Sequence, residues 1–255
     1  MKNLSIHHLL GLAILADTPF STARRCLLTV IAGLLFTVGA SAQTPPQLSW
    51  TSLIDSGTTI TDGTRVIRRM TNGDIIAASQ TRAGAVDNIR ITRHNGSTGA
   101  ISWTRDTSPG DNSDDINSME IDPATGDAFL ACRISFPFNL NWYVIRVRGS
   151  DGNIDWTYNY SSSGNNNDEP RSICRTTDGN VVLAGMFTDP GSGAPFLRVV
   201  KLNSSTGAEM WAYQHATAWS DAIQVVADTN GNALVAAIVG AGIEEHNGVV
   251  LKFGP

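Results

Sequence analysis

The stretch Ser150-Asp151-Gly152-Asn153-Ile154-Asp155-Trp156 decides the fold, because it recurs along the chain. Related stretches end at Trp103 and Trp211, and a shortened copy, Leu48-Ser49-Trp50, comes before them. The four tryptophans are 53, 53 and 55 residues apart. A period of this size is typical of repeat architectures, in which each repeat forms one supersecondary unit.

Each unit contains short apolar segments separated by turn sequences. The turn after the first segment carries a glycine, which supplies the positive φ that a tight hairpin requires. These glycines are Gly73, Gly126, Gly179 and Gly231. Four hairpin-linked strands per unit of about 53 residues predict an all-β fold, a β-propeller with one tryptophan of each fourth strand packed between neighbouring blades.

The two ends of the repeat region complement each other. Residues 48–53 resemble a fourth strand without the first three, and the last unit has a first, second and third strand, the third of which ends at Phe253. We therefore expect four blades, with one blade completed by strands from both termini, because such closure removes an exposed sheet edge. The alternative is a dimer of two open halves that together form an eight-bladed ring.

The N-terminal residues have the features of a targeting segment. Arg24-Arg25 precedes an apolar run over 26–40, and Ala40-Ser41-Ala42 places small residues before a cleavage point. This pattern predicts a signal peptide over residues 1–42 and export to the periplasm or the extracellular space. Residues 43–255 would then form a single propeller domain without a membrane span. The net charge of −5 and the absence of a basic run argue against a nucleic-acid partner.

An acidic residue opens the first strand of every unit. Asp62, Asp115, Asp168 and Asp221 are spaced 53 residues apart. Because innermost strands line the channel of a propeller, four such carboxylates would repel each other unless a cation or raised pKa values accompanied them. Ca²⁺ would suit these oxygen ligands. Alternatively, each aspartate hydrogen-bonds its own turn.

Three further residue sets were considered for a site. A basic residue ends the third strand of each unit and is expected at a solvated rim, with its stem over apolar surface; these are Arg93, Arg146, Lys201 and Lys252. Cys132 and Cys174 either form a disulfide in an oxidising compartment or are buried as free thiols. Histidines at unrelated repeat positions, His94, His215 and His246, do not predict a shared metal site.

The stretch from Ser205 to Trp211, following Val199-Val200-Lys201-Leu202, resembles the tryptophan-containing repeat of the PQQ-like propellers, the quinoprotein alcohol dehydrogenase-like superfamily. The resemblance covers essentially residues 47–255. It implies the propeller fold, and the family includes both PQQ-dependent dehydrogenases and non-catalytic scaffolds. This sequence lacks the adjacent cysteine pair of many such dehydrogenases, and no Glu-Asn-Asp set matches their calcium site.

No Ser-His-Asp order, P-loop or H-E-x-x-H motif is present. We therefore expect an exported binding or scaffolding module without catalysis of its own, a monomer or homodimer with a protein or small ligand as its partner. One alternative is a PQQ- or Ca²⁺-dependent oxidoreductase of the quinoprotein type, and another is a sugar-binding or glycan-cleaving propeller. The connector over residues 133–141, which is rich in apolar residues, is a candidate contact surface.

Overall fold

The computed structural model describes residues 47–55, 57, 62–83, 86–110, 113–136, 139–162, 166–240, 242 and 245–255. These residues form fifteen β-strands. Residues 48–255 belong to one compact unit. Among the described residues, no helix is long and apolar enough to cross a membrane. The predicted signal peptide and its cleavage point lie outside the described residues.

The strands group in chain order into four antiparallel sheets. The first sheet contains β1 (Gly63–Arg69), β2 (Ile75–Ala83), β3 (Val86–His94) and β4 (Ile101–Thr107). The second contains β5 (Asp115–Ile121), β6 (Ala128–Phe136), β7 (Asn139–Val147) and β8 (Ile154–Tyr160). The third contains β9 (Glu169–Arg175), β10 (Val181–Thr188), β11 (Pro195–Leu202) and β12 (Glu209–Gln214). The fourth contains only β13 (Asp221–Ala227), β14 (Ala233–Gly240) and β15 (His246–Phe253).

The sheets follow one another as blades around a row of inner strands. β1 contacts β5, β5 contacts β9, and β9 contacts β13. The second strands β6 and β10 are apolar on both sides because a neighbouring sheet covers each of their faces. The predicted all-β repeat of hairpin-linked antiparallel sheets is confirmed.

The apolar core consists of layers between adjacent sheets. The first and second sheets bury Ile91, Met119 and Leu130 together. The second and third bury Phe129 with Leu183, and other side chains of both sheets join them. A third layer, which contains Val199 and Val235 among others, lies between the third and fourth sheets. Each layer brings together side chains more than thirty residues apart, so the sheets stabilise each other.

Three of the repeated tryptophans lie between consecutive repeats. The indole Nε1 of Trp103 donates to the carbonyl oxygen of Gly149 over 3.0 Å, and that of Trp156 donates to Ser204 over 2.9 Å. Trp50 makes the same bond to Gly96 over 3.2 Å. Each indole lies against a glycine of positive φ in the next repeat; these glycines are Gly99, Gly152 and Gly207.

Trp211 has a different environment. Its ring stacks on Phe253 of the fourth sheet, with centroids 5.8 Å apart and planes 26° from parallel. The four turn glycines, in contrast, share one conformation, with φ from 76° to 93°. The glycine turns therefore repeat in all four sheets. The tryptophan contact repeats only where another sheet follows and presents the turn after its third strand.

The expected closure of a four-bladed ring is not confirmed. Residues 48–53 form no strand, and no described strand pairs with the outer edge of β15. The inner strands β1 and β13 share no contact comparable to those between successive inner strands of the described chain. The bond from Trp50 to Gly96 instead holds this segment against the first sheet.

Cys132 and Cys174 do not form the disulfide considered from the sequence. Both thiols are free and buried. Cys132 belongs to the layer between the first and second sheets, and Cys174 to the layer between the third and fourth. Burial raises the pKa of the Cys174 thiol to about 12 and that of Cys132 well above its usual value. Neither group is therefore an activated nucleophile.

Candidate binding cleft

Every inner strand carries a β-bulge at its third residue. The register of the first and second strands skips one residue in each sheet, and the skipped residues are Arg65, Asn117, Arg171 and Ile223. A bulge re-aims the side chain of the extra residue. The inner strands thus present a row of bulged side chains at the start of each strand.

The polar members of this row each contact the next inner strand. Arg65 Nε lies 3.0 Å from the carboxylate of Asp115, and Arg171 Nη2 lies 2.9 Å from that of Asp221. Between them, Asn117 donates its amide N–H to the carbonyl oxygen of Pro170 over 2.5 Å. The bulges therefore join neighbouring blades by polar contacts.

A further arginine extends these contacts into a chain of ion pairs. Arg133 on β6 lies 3.7 Å from Asp115 and 3.4 Å from Glu169, and Arg171 also pairs with Glu169 over 2.8 Å. The acidic groups at this end of the inner strands thus face guanidinium groups. At Asp115 and Asp221, arginines supply the positive charge that a bound cation would otherwise have to provide.

The four aspartates singled out by their spacing belong to two structural sets. Asp62 and Asp168 precede their strands, where each accepts a backbone N–H, from Arg82 and Thr188, over 3.1 Å. The residue in this position of the second sheet is Asp114, which accepts from Ser135 N–H over 3.4 Å. Asp115 and Asp221 are instead the first residues of β5 and β13. The equal spacing therefore mixes two positions.

The structure does not assemble these aspartates as a metal site. Among the described residues, no group of three or more His, Cys, Asp or Glu side chains is placed to hold a metal ion. Burial raises the pKa of Asp168, against hydrogen bonds from Ser162 and Thr188. Burial likewise raises the pKa of Asp221, against the nearby Arg171. The bonds from Arg82 to Asp62 and from Thr188 to Asp168 join residues twenty positions apart, so they differ from the predicted Asx-type bond to the residue's own turn.

The basic residues that end the third strands do not form the solvated rim expected from the sequence. Lys201 is only 2% exposed and its Nζ lies 2.8 Å from the carboxylate of Asp178 in the turn of its own sheet. Arg93 and Arg146 pair in the same way with Asp74 and Asp127, both over 2.6 Å. The two arginines also donate to turn carbonyls of the next sheet. Only Lys252, on the fourth sheet, is mostly exposed.

The histidines and the apolar connector are also accounted for within the described residues. His94 is buried, stacks on Trp50 at 6.3 Å between ring centroids, and hydrogen-bonds Thr92 over 2.8 Å. His215 bonds the neighbouring Thr217. In the connector, β6 ends at Phe136, which packs against the first core layer, and β7 begins at Asn139. Pro137 and Phe138 lie outside the described residues.

A polar cleft lies at the other end of the inner strands. Its volume is about 330 Å³, and all four inner strands contribute to its wall. Arg68 comes from β1, Glu120 from β5, Arg175 from β9 and Gln224 from β13. A second cavity of about 400 Å³ shares Glu120 and Arg175 and extends the cleft toward the turns that follow the inner strands.

Several polar groups of the cleft are available to a ligand. Glu120 and Gln224 make no hydrogen bond or ion pair with any described residue, whereas Arg175 pairs with Asp122 over 3.2 Å and keeps an unpartnered buried Nε. Within the part of the chain that the structure describes, the exposed Arg68 guanidinium donates only to the carbonyl of Ile67, over 3.0 Å. The cleft thus offers a carboxylate, an amide and two guanidinium groups to one volume.

Sequence reasoning missed these residues because it searched for repeated chemistry. The sixth position of the inner strands holds Arg68, Glu120, Cys174 and Val226, four different side-chain types. Positions that stabilise the sheets keep the same residue type in each repeat. A cleft position whose residue type differs in every sheet therefore indicates a specific site. The bulges that align the four inner strands are a feature of the structure, so the sequence alone does not reveal this position.

Comparisons with known proteins give only distant structural alignments. No family model and no curated protein matches the sequence. Among solved structures, the endo-arabinase from Bacteroides thetaiotaomicron aligns with 74% of this chain and 74% of its own, at 12% identity and a TM-score of 0.41. Quinohemoprotein alcohol dehydrogenase from Comamonas testosteroni aligns with 74% of this chain at 11% identity and a TM-score of 0.42, and this chain covers 40% of its length.

BamB from Moraxella catarrhalis aligns with 70% of this chain and 71% of its own, at 12% identity and a TM-score of 0.26. The TM-scores of these structures, all below 0.5, carry no argument about activity. The function of this chain has to be argued from its own residues.

The described residues do not fit a Ca²⁺–PQQ site at the aspartates. Asp115 and Asp221 face Arg65, Arg133 and Arg171. A cation placed there would have to displace guanidinium groups from both carboxylates. Asp168 is buried and directs its oxygens at the backbone N–H of Ser162 and Thr188. No catalytic step is therefore derived through such a group.

Proposed function

We propose that this protein is an exported propeller-type binding module without catalysis of its own, and that the cleft at the ends of the inner strands binds a small polar ligand. The observation that carries the proposal is the unpartnered carboxylate of Glu120 in a cavity that it shares with Arg68, Arg175 and Gln224. A charged group lacking a partner in a concave site is a functional signal rather than a packing element.

The chemistry of the cleft indicates the kind of ligand. Guanidinium groups bind carboxylate or phosphate oxygens, and Glu120 accepts hydrogen bonds from an ammonium or hydroxyl group. A ligand that carries an anionic group at one end and a hydrogen-bond donor at the other fits both the guanidinium groups and Glu120. The volume of about 330 Å³ lies at the lower end of the usual range for ligand pockets, which suits a molecule of amino-acid or sugar-acid size.

The experiment is calorimetric binding of a panel of α-amino acids, sugar acids and small dicarboxylates to the purified protein. We expect a member of the first two groups to bind, and Glu120→Gln to weaken it by about tenfold, since one charge-assisted hydrogen bond is worth about 1.4 kcal/mol or more. Asp151→Asn, in an exposed turn that does not line the cleft, is the matched control and should bind as the parent does. Equal binding by all three proteins, or no binding by any compound, would contradict the proposal.

A further inference from the structure

The cleft that carries the proposed function continues into the second cavity, and the two cavities share part of their wall. Glu120, Arg175 and Ala227 line both. The first cavity, of about 330 Å³, lies along the inner strands, and the second, of about 400 Å³, reaches the turns that follow these strands. A ligand held at Glu120 and Arg175 can therefore extend into both cavities.

The first cavity is suited to an anionic group. It adds the guanidinium group of Arg68 to that of Arg175. Both side chains keep N–H donors without a partner among the described residues, since Arg68 is bonded through Nη1 and Arg175 has an unpartnered Nε. Guanidinium groups with free N–H donors bind carboxylates strongly. The anionic end of the ligand therefore belongs in the first cavity.

The second cavity has a different charge. Asp228 contributes to its wall, and its carboxylate oxygens accept N–H bonds from Asn230 and Asn232, with Lys252 Nζ at 3.1 Å. These contacts, led by the bond from the Asn232 side chain, lower the pKa of Asp228 to about 2. The group is therefore anionic at neutral pH. It would repel an acidic ligand group, whereas both of its oxygens are already bonded and favour no further cation.

The rest of the second cavity is neutral and partly apolar. Ile121, Pro123 and Ala227 contribute apolar surface, and Thr177 and Thr229 contribute exposed side chains that carry a methyl and a hydroxyl group each. A wall of this kind stabilises a neutral ligand group by removing its apolar surface from water. The volume of about 400 Å³ leaves room for a group of several carbon atoms.

From this order of groups we infer that the cleft binds a free α-amino acid with a large neutral side chain, an inference that rests on the proposed function. The carboxylate binds Arg68 and Arg175, the ammonium group binds Glu120, and the side chain occupies the second cavity. An α-amino acid carries these three groups on one carbon atom, which suits a carboxylate and a guanidinium group shared by both cavities. A sugar acid would place hydroxyl groups against the apolar wall of the second cavity and fits it less well.

The test is calorimetric titration of the purified protein with glycine, L-leucine and L-glutamate. L-Leucine should bind at least about tenfold more tightly than glycine, because its side chain is buried against the apolar wall of the second cavity. L-Glutamate should bind no more tightly than glycine, because its side chain would face Asp228.

A variant that narrows the second cavity tests where the side chain lies. Thr229 lines this cavity and not the first, and it is exposed in a turn. Thr229→Trp should abolish the preference for L-leucine while glycine binds as before, and circular-dichroism melting reports that the fold survives. Thr104→Trp, at an exposed position of β4 that lines neither cavity, is the control and should keep the preference.

A modified ligand tests the place of the ammonium group. N-Acetyl-L-leucine lacks the positive charge that Glu120 is expected to bind. Acetylation of the ligand and Glu120→Gln should each weaken binding of L-leucine by about tenfold, since each removes the same charge-assisted bond. Because they remove one contact, the two changes together should weaken binding no more than either does alone.

The outcomes separate this inference from the proposed function. Equal binding of glycine and L-leucine, tighter binding of L-glutamate, or binding of sugar acids but no amino acid would overturn the inference and leave a ligand-binding cleft. A preference for L-leucine that survives Thr229→Trp, or additive losses from acetylation and Glu120→Gln, would overturn it as well. Binding of none of these compounds would overturn both proposals.

Discussion

The third and fourth sheets carry the same apolar pattern on the same face, yet only the third is covered. Val182, Ala184 and Val199 are fully buried, while Ala236 and Val250 are exposed. The difference does not come from the residues, which are as small and apolar in one sheet as in the other. It comes from the presence or absence of a following sheet. In a repeat architecture, the stability of a unit depends on its neighbour.

The largest loss of stability that would test this comparison is expected at the tryptophans. Trp156 packs between the second and third sheets and donates its Nε1 to Ser204, whereas Trp211 packs beside Phe253 at the layer between the third and fourth sheets. Trp156→Ala should lower the free energy of unfolding by roughly 3–5 kcal/mol, because it removes a partly buried aromatic and leaves a cavity. Trp211→Ala should cost about half of that. Urea unfolding of both variants measures the difference, and equal losses would contradict the distinction.

A smaller effect is expected at the glycine under Trp156. A Cβ on Gly207 would lie 2.6 Å from the indole Cε3, and its φ is 72°. Gly207→Ala combines about 1–2 kcal/mol of left-handed strain with about 1–3 kcal/mol of overpacking. Gly193→Ala is the control, since its φ of 68° is similar but no atom lies within 4 Å of a Cβ there. If Gly193→Ala lowers the free energy of unfolding as much as Gly207→Ala does, the whole effect comes from backbone strain and the predicted overpacking is contradicted.

The smallest predicted loss of stability distinguishes two lysines at equivalent positions of the third and fourth sheets. Lys201 is buried beside Asp178, and Lys252 is 57% exposed beside Asp228. Lys201→Met should destabilise by about 2 kcal/mol, which is less than for a fully buried pair because Asp178 is partly solvated. Lys252→Met should cost under about 1 kcal/mol, as exposed pairs do. Thermal unfolding of the two variants checks the order, and a larger loss for Lys252→Met would contradict it.

The sequence predicted the sheets better than it predicted the site. The tryptophan period and the turn glycines follow from local backbone requirements that every repeat shares, so they are visible without a structure. The partner of each carboxylate is not local. Asp115 pairs with arginines from β1 and β6, and the bulge that aims Arg65 at it leaves no mark in the composition.

Two expectations are not confirmed, for related reasons. The spacing of 53 residues equated Asp62 with Asp115, although Asp114 takes that place, because a one-residue offset moves a strand side chain to another position. The expected closing strand at residues 48–53 depends on whether two distant sheets meet in space. The complementary pattern of the two ends is real, but it does not state whether the partner sheet belongs to the same chain.

The measurement that tests the account most directly is amide hydrogen exchange of β15 against β11. We predict that β11 is protected, because its two edges pair with β10 and β12. The outward amides of β15 should exchange faster than the amides of β11, because no described strand pairs with that edge. Equal protection of β15 and β11 would contradict the account, since a further strand would then cover the edge of β15.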